Sequence, residues 1–152
     1  MTINHNRFLN EQREAARALD EQRFQSALDD AARTPTDAEL EVAPILHNYA
    51  MISGVFETRP MLIGEVEGHT ELRPGMISTS GVVLIDTEAG FARTQSRWYR
   101  LGTPADFDDE AQNTTRAMQR FDAFTVVNAD EFAKMIADER ALLKQALEAG
   151  AY

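Results

Sequence analysis

Residues 85–102, IDTEAGFARTQSRWYRLG, constrain the fold more than any other stretch of the chain. A β-prone run ends at Asp86. Thr87, Glu88, Ala89 and Gly90 follow, and a second β-prone run then carries the only tryptophan, Trp98, beside Tyr99. Turn-forming residues between two runs of strand-forming side chains predict a β-hairpin. Arg93, Arg97 and Arg100 lie in its second arm. Side chains alternate along a strand. Read as one continuous strand, that arm sets Phe91, Arg93, Gln95, Arg97 and Tyr99 on one face. Ala92, Thr94, Ser96, Trp98 and Arg100 fall on the other.

The hairpin belongs to a β-rich middle. Strand-like runs cover about 50–57, 61–67, 76–85 and 91–101. Thr58-Arg59-Pro60, the stretch 68–75 with Pro74, and the turn ending at Gly90 separate them. Val82, Val83, Leu84 and Ile85 are apolar on both faces, as in a central strand. Four short antiparallel strands of this kind make a small curled sheet or an open barrel. Residues 45–49, just after Pro44, read as a connector or one more helical turn.

Helices flank the sheet. Residues 5–33 lack Gly and Pro and are rich in Ala, Gln, Glu and Arg. Glu14 with Arg17 and Asp20 with Arg23 fall at helical spacing. The apolar stripe Leu9, Ala16, Phe24, Ala27 and Ala31 is thin. A helix of this kind gains little from burial and either lies loosely on the domain or docks on a partner. A short helix over 37–43 starts in one of two ways. Thr34 caps it with Pro35 at the first position, or Thr36 and Glu39 form a capping box; Pro44 ends it. Beyond Gly102-Thr103-Pro104 come an acidic loop (105–113), a short helix (114–124, with Met118 and Phe121) and a short strand (125–127). The final helix is capped by Asn128 and Glu131 and closed by Gly150. Phe132, Met135, Ile136, Leu142, Leu143, Ala146 and Leu147 form its broad apolar face. The expected class is α+β: an N-terminal helical arm (1–34) and a single domain (35–152).

Composition narrows the chemistry. A length of 152 residues suits one domain with a real core. With no cysteine, disulfides, thiol catalysis and thiolate metal sites are excluded. No apolar run is long enough for a membrane span, and the N-terminus has no apolar leader core. A cytoplasmic setting is therefore the simplest expectation. The net charge of −10 disfavours nucleic acid at long range. It sits at the ends: residues 1–47 hold nine acids and five bases, and residues 104–152 hold ten and five. The two lysines against thirteen arginines are ascribed to a GC-rich genome.

His5, His47 and His69 show no metal-ligand spacing. His69, between Gly68 and Thr70, reads as a turn residue holding a backbone hydrogen bond, with a general base as the alternative. The Ser78-Thr79-Ser80-Gly81 stretch lacks a nucleophile elbow, and no phosphate-binding glycine loop occurs. Asp106, Asp108, Asp109 and Glu110 lack calcium-loop order. Together with Asp29 and Asp30 they read as solvated acids able to face a basic partner. No enzyme, cofactor or metal is expected. The candidate binding residues are Arg93, Arg97, Trp98 and Arg100 with Asp29, Asp30, Asp108 and Asp109. Arginines beside aromatic rings can grip single strands. The preferred reading is structural, with Trp98 in the core and Arg93 and Arg97 paired to acids such as Glu65 or Glu67.

The segments AELEVAPILHNY, LIGEVEGHTELRPGMISTSGVVLID and GFARTQSRWYRLGTP, within about 38–104, resemble an uncharacterised bacterial and prophage family, a domain of unknown function. Its ARTxSRWYRLG motif is the specific part. The resemblance implies a compact sheet and no activity or functional residue. The first helix and the region after Asp106 lie outside it and read as additions specific to this protein. Likeness to accessory genes of phages and mobile elements favours a binding protein over an enzyme. The expected function is a non-catalytic accessory protein that binds a protein partner, as inhibitor or adaptor, through acidic helical surfaces. The alternatives are a nucleic-acid module using the arginine–tryptophan hairpin, or a virion component.

Overall fold

The structure is a computed structural model that describes residues 2–54, 59–69, 71–105 and 124–149. Helix α1 spans Thr2–Ala31 and α2 spans Asp37–Val42. Of the two possible starts for α2, the chain uses Thr36. Its hydroxyl accepts from the Glu39 N–H at 3.1 Å, and the Glu39 carboxylate accepts from the Thr36 N–H at 3.0 Å. Both orphan amides of the first turn are thereby satisfied. Helix α3, Ala129–Ala149, starts where the Asn128 side chain accepts from the Glu131 N–H at 2.8 Å. The expected loop and helix over 106–123, with Asp108 and Asp109, lie outside the described residues, as does Gly150.

Among the described residues the sheet has seven strands, where about four were expected. They are β1 Ile45–Gly54, β2 Pro60–Glu67, β3 Gly75–Ser78, β4 Val82–Asp86, β5 Phe91–Thr94, β6 Trp98–Leu101 and β7 Phe124–Val126. Two split runs and β7, expected as a short strand near 125–127, make up the difference, and a third misreading shortened β1. Residues 45–49 are not a connector but the first half of β1. Asn48 takes a positive φ of 51° there, and the pairing register with β2 shifts between His47 and Ala50. Such a bulge breaks simple alternation, so a period-two search misses it. The run 76–85 is split at Thr79-Ser80-Gly81 into β3 and β4. The run 91–101 is split into β5 and β6 by a tight turn. There the Thr94 hydroxyl accepts from the N–H groups of Ser96 at 3.1 Å and Arg97 at 3.3 Å. The turn also overturns the expected face assignment. Arg93 lies opposite Trp98, Phe91 opposite Arg100 and Ala92 opposite Tyr99. Cross-strand partners share a face, so Phe91, Arg93, Trp98 and Arg100 stand together, and Tyr99 stands with Ala92.

The strand order is β3-β2-β1-β6-β5-β4, with β7 on the far end of β1. All neighbours are antiparallel except β1 and β6. Six strands laid flat would separate the outer pair by about 24 Å. Yet β3 and β4 are joined through residues 79–81, a link spanning at most about 14 Å. The sheet must curl, and this seam closes it into an open barrel. Thr79 donates its N–H to the Leu62 carbonyl on one side of the seam, and Gln95 donates to the Gly81 carbonyl on the other, both at 2.8 Å. Inside sit Leu46, Tyr49, Leu62, Val66, Val82, Ala92 and Tyr99, and α3 adds Phe132 and Ile136. Burying a ring such as Phe132 stabilises by about 1.5–3 kcal/mol. The outer face of β5 and β6 packs under α2, where Phe91, Trp98 and Ala43 form a second cluster.

Candidate functional site

The junction of α1, α2 and the β5–β6 turn gathers most of the candidate residues, and it binds them to each other. Arg93 is only 5% exposed. Its Nε donates to Asp30 Oδ2 at 2.8 Å, and Nη1 donates to the Thr94 carbonyl. The other oxygen, Asp30 Oδ1, accepts from Arg33 Nη2 at 2.7 Å. Arg33 also forks onto Glu39, with both nitrogen–oxygen distances 2.7 Å. One chain of charges therefore runs from β5 through α1 to α2. A guanidinium matches carboxylates in two parallel hydrogen bonds, so the geometry fixes angle as well as distance. Hydrogen bonding from Arg33, then from the Thr36 backbone, holds the Glu39 carboxyl at about 2. The same bond with Glu39 raises Arg33 above its usual value, with Asp30 adding to it.

Trp98 lies beneath this chain and is 7% exposed. Its ring meets Phe91 edge-on, centroids 5.8 Å apart. The guanidinium carbons of Arg33 and Arg93 stand 5.8 and 6.0 Å from the ring centroid, within cation–π range. The indole Nε1 is buried with no acceptor among the described residues. The ring is thus held by apolar contact and by the two cations. The expectation that Trp98 belongs to the core holds. The pairing of Arg93 with Glu65 or Glu67 does not: Asp30 takes Arg93, and Glu67 accepts His47 Nε2 at 2.7 Å. Arg97 reaches Glu71 at 3.6 Å, a loose and solvated contact. Arg100 donates Nε to the Ala43 carbonyl at 3.0 Å, fastening the end of α2. Asp29 remains on the surface and accepts from Gln25 at 2.9 Å.

Two features escaped the sequence reading. Arg33 and Glu39 complete the charge chain. Their signal was present, because Asp30 and Arg33 are three apart at a helix end and Glu39 was already a capping residue. The second is Glu139, 1% exposed on the buried face of α3. It accepts from Gln95 Nε2 at 2.6 Å and lies 3.6 Å from Arg59 Nε. A Cβ on Gly81 would come within 2.5 Å of its carboxylate, so any other residue at that point of the seam would have to displace Glu139. A polar residue at the 132, 136, 139, 143 spacing was the available hint.

His69 acts as expected of a turn residue. Its Nδ1 accepts from the N–H groups of Glu71 at 3.0 Å and Leu72 at 3.1 Å. Burial, then the charge of Arg97, lowers its pKa, which keeps Nδ1 free to accept. Among the described residues no three acidic or histidine side chains are placed to share a metal ion. No described helix is long and apolar enough to cross a membrane.

Helix α1 is held only at its end. Ala27 is buried against Val83 and Leu143, with Phe24, Leu28 and Ala31 packed around them. Arg140 of α3 donates to the Val83 carbonyl and to the Ala31 carbonyl. Before Phe24 the side chains from Asn6 onward are exposed, save a half-covered Asp20. They include Phe8, Leu9 and Leu19, the last 67% exposed. Leu19, Gln22 and Arg23 still lie beside Arg93, Gln95 and Ser96; at 1.5 Å per residue the stretch 2–18 projects about 25 Å. Between the docked end of α1 and α3 runs a groove of about 590 Å³ floored by Leu28, Ala141 and Leu147 and rimmed by Asp29, Lys144 and Glu148.

Neither a curated protein nor a solved structure matches the chain. A protein family does match, over residues 16–148. That span reaches far beyond the hairpin motif on both sides. The second half of α1 and nearly all of α3 are therefore part of the family's pattern and not additions specific to this protein. The chain belongs to the family described as a family of unknown function, DUF6634.

Proposed function

We propose that this protein is a non-catalytic interaction protein of the accessory type carried by phages and mobile elements. It works in the bacterial cytoplasm and engages a protein partner, as inhibitor or adaptor, through its acidic helical surfaces. The observation that carries this reading is the division of α1. One end is locked to the body by Asp30, Arg93 and Arg140, while the other presents Phe8, Leu9 and Leu19 to solvent on a rigid projection. A helix that is anchored at one end and bare at the other is preorganised to lie against another surface, which lowers the ordering cost of binding. The acids Glu11, Glu14, Asp20 and Glu21 on the same stretch are balanced by Arg7, Arg13, Arg17 and Arg23, so the exposed apolar groups are what the projection offers a partner.

The nucleic-acid reading draws less support. Arg93 and Arg100 are already engaged, and the face of Trp98 is shielded from a stacking base.

The test is capture of partners from host lysate by the tagged full-length chain, with and without nuclease. A Phe8→Glu/Leu19→Glu variant runs alongside. Both positions are solvent-exposed, so the variant should fold with stability changed by no more than about 0.5 kcal/mol. The expected result is a defined protein that survives nuclease and is lost with the variant. Retention on the variant would remove the arm from the mechanism. Loss with nuclease would transfer the case to nucleic acid.

A further inference from the structure

Strand β3 is the outer strand on its side of the sheet and pairs with β2 alone. Just past its end, Thr79 gives its N–H to the Leu62 carbonyl of β2. Backbone direction alternates along an antiparallel strand. Gly75 and Ile77 therefore face β2, as Thr79 does, and the N–H and C=O groups of Met76 and Ser78 point outward. Among the described residues no backbone hydrogen bond is made on that open side.

Beside this edge lies a groove of about 740 Å³ lined by Glu65, Glu67, Pro74 and Met76, with His47 at its far wall. Glu65 is the cross-strand partner of Met76 on one side and of His47 on the other. Glu67 is engaged by His47, whereas Glu65 has no ion-pair partner among the described residues. The two carboxylates are two residues apart on β2, so they share a face about 6.7 Å apart.

We propose that this edge and groove receive an extended basic segment of a partner protein, added as a further strand outside β3. Strand spacing makes the chemistry specific. An added strand would lie about 4.8 Å beyond β3 and about 10 Å from β2. Only a long side chain crosses that distance. The stems of Arg or Lys would rest on Met76 and Pro74 while their cations meet Glu65 and Glu67. The 6.7 Å repeat of the carboxylates equals the repeat of alternate residues in an extended chain, so the fitting motif is two basic residues separated by one. A second copy of this chain is the wrong occupant. The β3 of another copy, Gly-Met-Ile-Ser, carries no cation to meet Glu65 and Glu67. The site shares no residue with the helical arm and stands or falls independently of it.

The probe is a labelled peptide of Val and Thr residues with an Arg-x-Arg centre, titrated against the full-length protein at low and high salt. A Glu-x-Glu peptide serves as control. Binding of the Arg peptide alone is expected, weakening with salt and at least tenfold weaker for Glu65→Gln/Glu67→Gln. Amide hydrogen exchange at Met76 and Ser78 should slow when the peptide is bound. Absence of binding at low salt, equal binding to the Gln variant, or binding without protection of those two amides would each overturn the proposal. The Phe8→Glu/Leu19→Glu variant should bind the peptide as the unmodified chain does, which separates this site from the arm.

Discussion

Helices α1 and α3 differ little in composition and greatly in what they do. Both are alanine-rich and carry more acids than bases. In α3 the buried side chains Phe132, Ile136, Glu139 and Leu143 recur at three- and four-residue spacing along the helix. That row plugs the open barrel. Among the described side chains of α1 only Ala27 is fully covered, and its neighbours Phe24, Leu28 and Ala31 make a patch two turns long. Helix propensity is similar in the two; what differs is how many turns offer a large apolar group to the sheet. A helix follows its burial pattern more than its propensity. Where α1 runs out of covered apolar groups, before Phe24, it leaves the surface, and the ion pair of Asp30 with Arg93 adds to the packing that holds its docked end.

This contrast predicts a hierarchy of effects. The largest is expected at the α3 plug. Phe132→Ala removes a ring with no solvent exposure from the centre of the barrel core. The loss should be about 3–5 kcal/mol, read as a fall in the urea midpoint. A loss below about 1 kcal/mol would mean that α3 is as dispensable to the core as the projecting part of α1.

The next effect lies at the anchor of α1. Asp30→Ala strands the Arg93 guanidinium, whose side chain is 6% exposed. Leaving one member of a buried pair uncompensated costs about 3 kcal/mol. Arg33 should shift as well, so emission from the single tryptophan should change. Unaltered stability and emission would show that packing at Ala27 alone holds the helix.

The smallest effect is an acid response at the same junction. Glu39 titrates at about 2 in the folded chain against 4.5 for the free side chain. Its pKa is depressed by folding, so its contribution is complete above about pH 4.5 and is lost as pH falls toward 2. Stability and tryptophan emission should therefore drift together over that window. Glu39→Gln should flatten the drift. A response of unchanged size in the Gln variant would assign it to other carboxylates.

Much of the fold was legible from local signals, and the failures share one cause. The capping residues Thr36, Glu39 and Asn128 identify helix starts because the relevant hydrogen bonds span three residues. Gly90 marks the β4–β5 turn and has a φ of 83°, a region open to glycine. The strands were undercounted because Thr79-Ser80-Gly81 and Thr94-Gln95-Ser96-Arg97 split β-prone runs, the second with neither glycine nor proline to mark it, while Asn48 hid the first half of β1. The Thr94 hydroxyl substitutes for that punctuation by closing its turn from the side chain.

The candidate site was half legible. The sequence reads Trp98 as core and Arg93 as the partner of an acid on a neighbouring strand, but does not point to Asp30 as that acid. Nothing local says that Asp30 and Arg93, 63 residues apart, meet each other instead of a partner.

By itself the sequence determined the alternation of helical and strand-like segments, the helix starts, the hairpin, and the thin apolar stripe that leaves most of α1 bare. These follow from propensity, periodicity and capping, which act over a few residues. Only the tertiary structure decided that the sheet curls into an open barrel, since a three-residue seam must join its two outer strands. The tertiary structure also decided that Arg93 turns inward to Asp30. Charges find partners by proximity in space, and proximity is set by the packing of the whole chain.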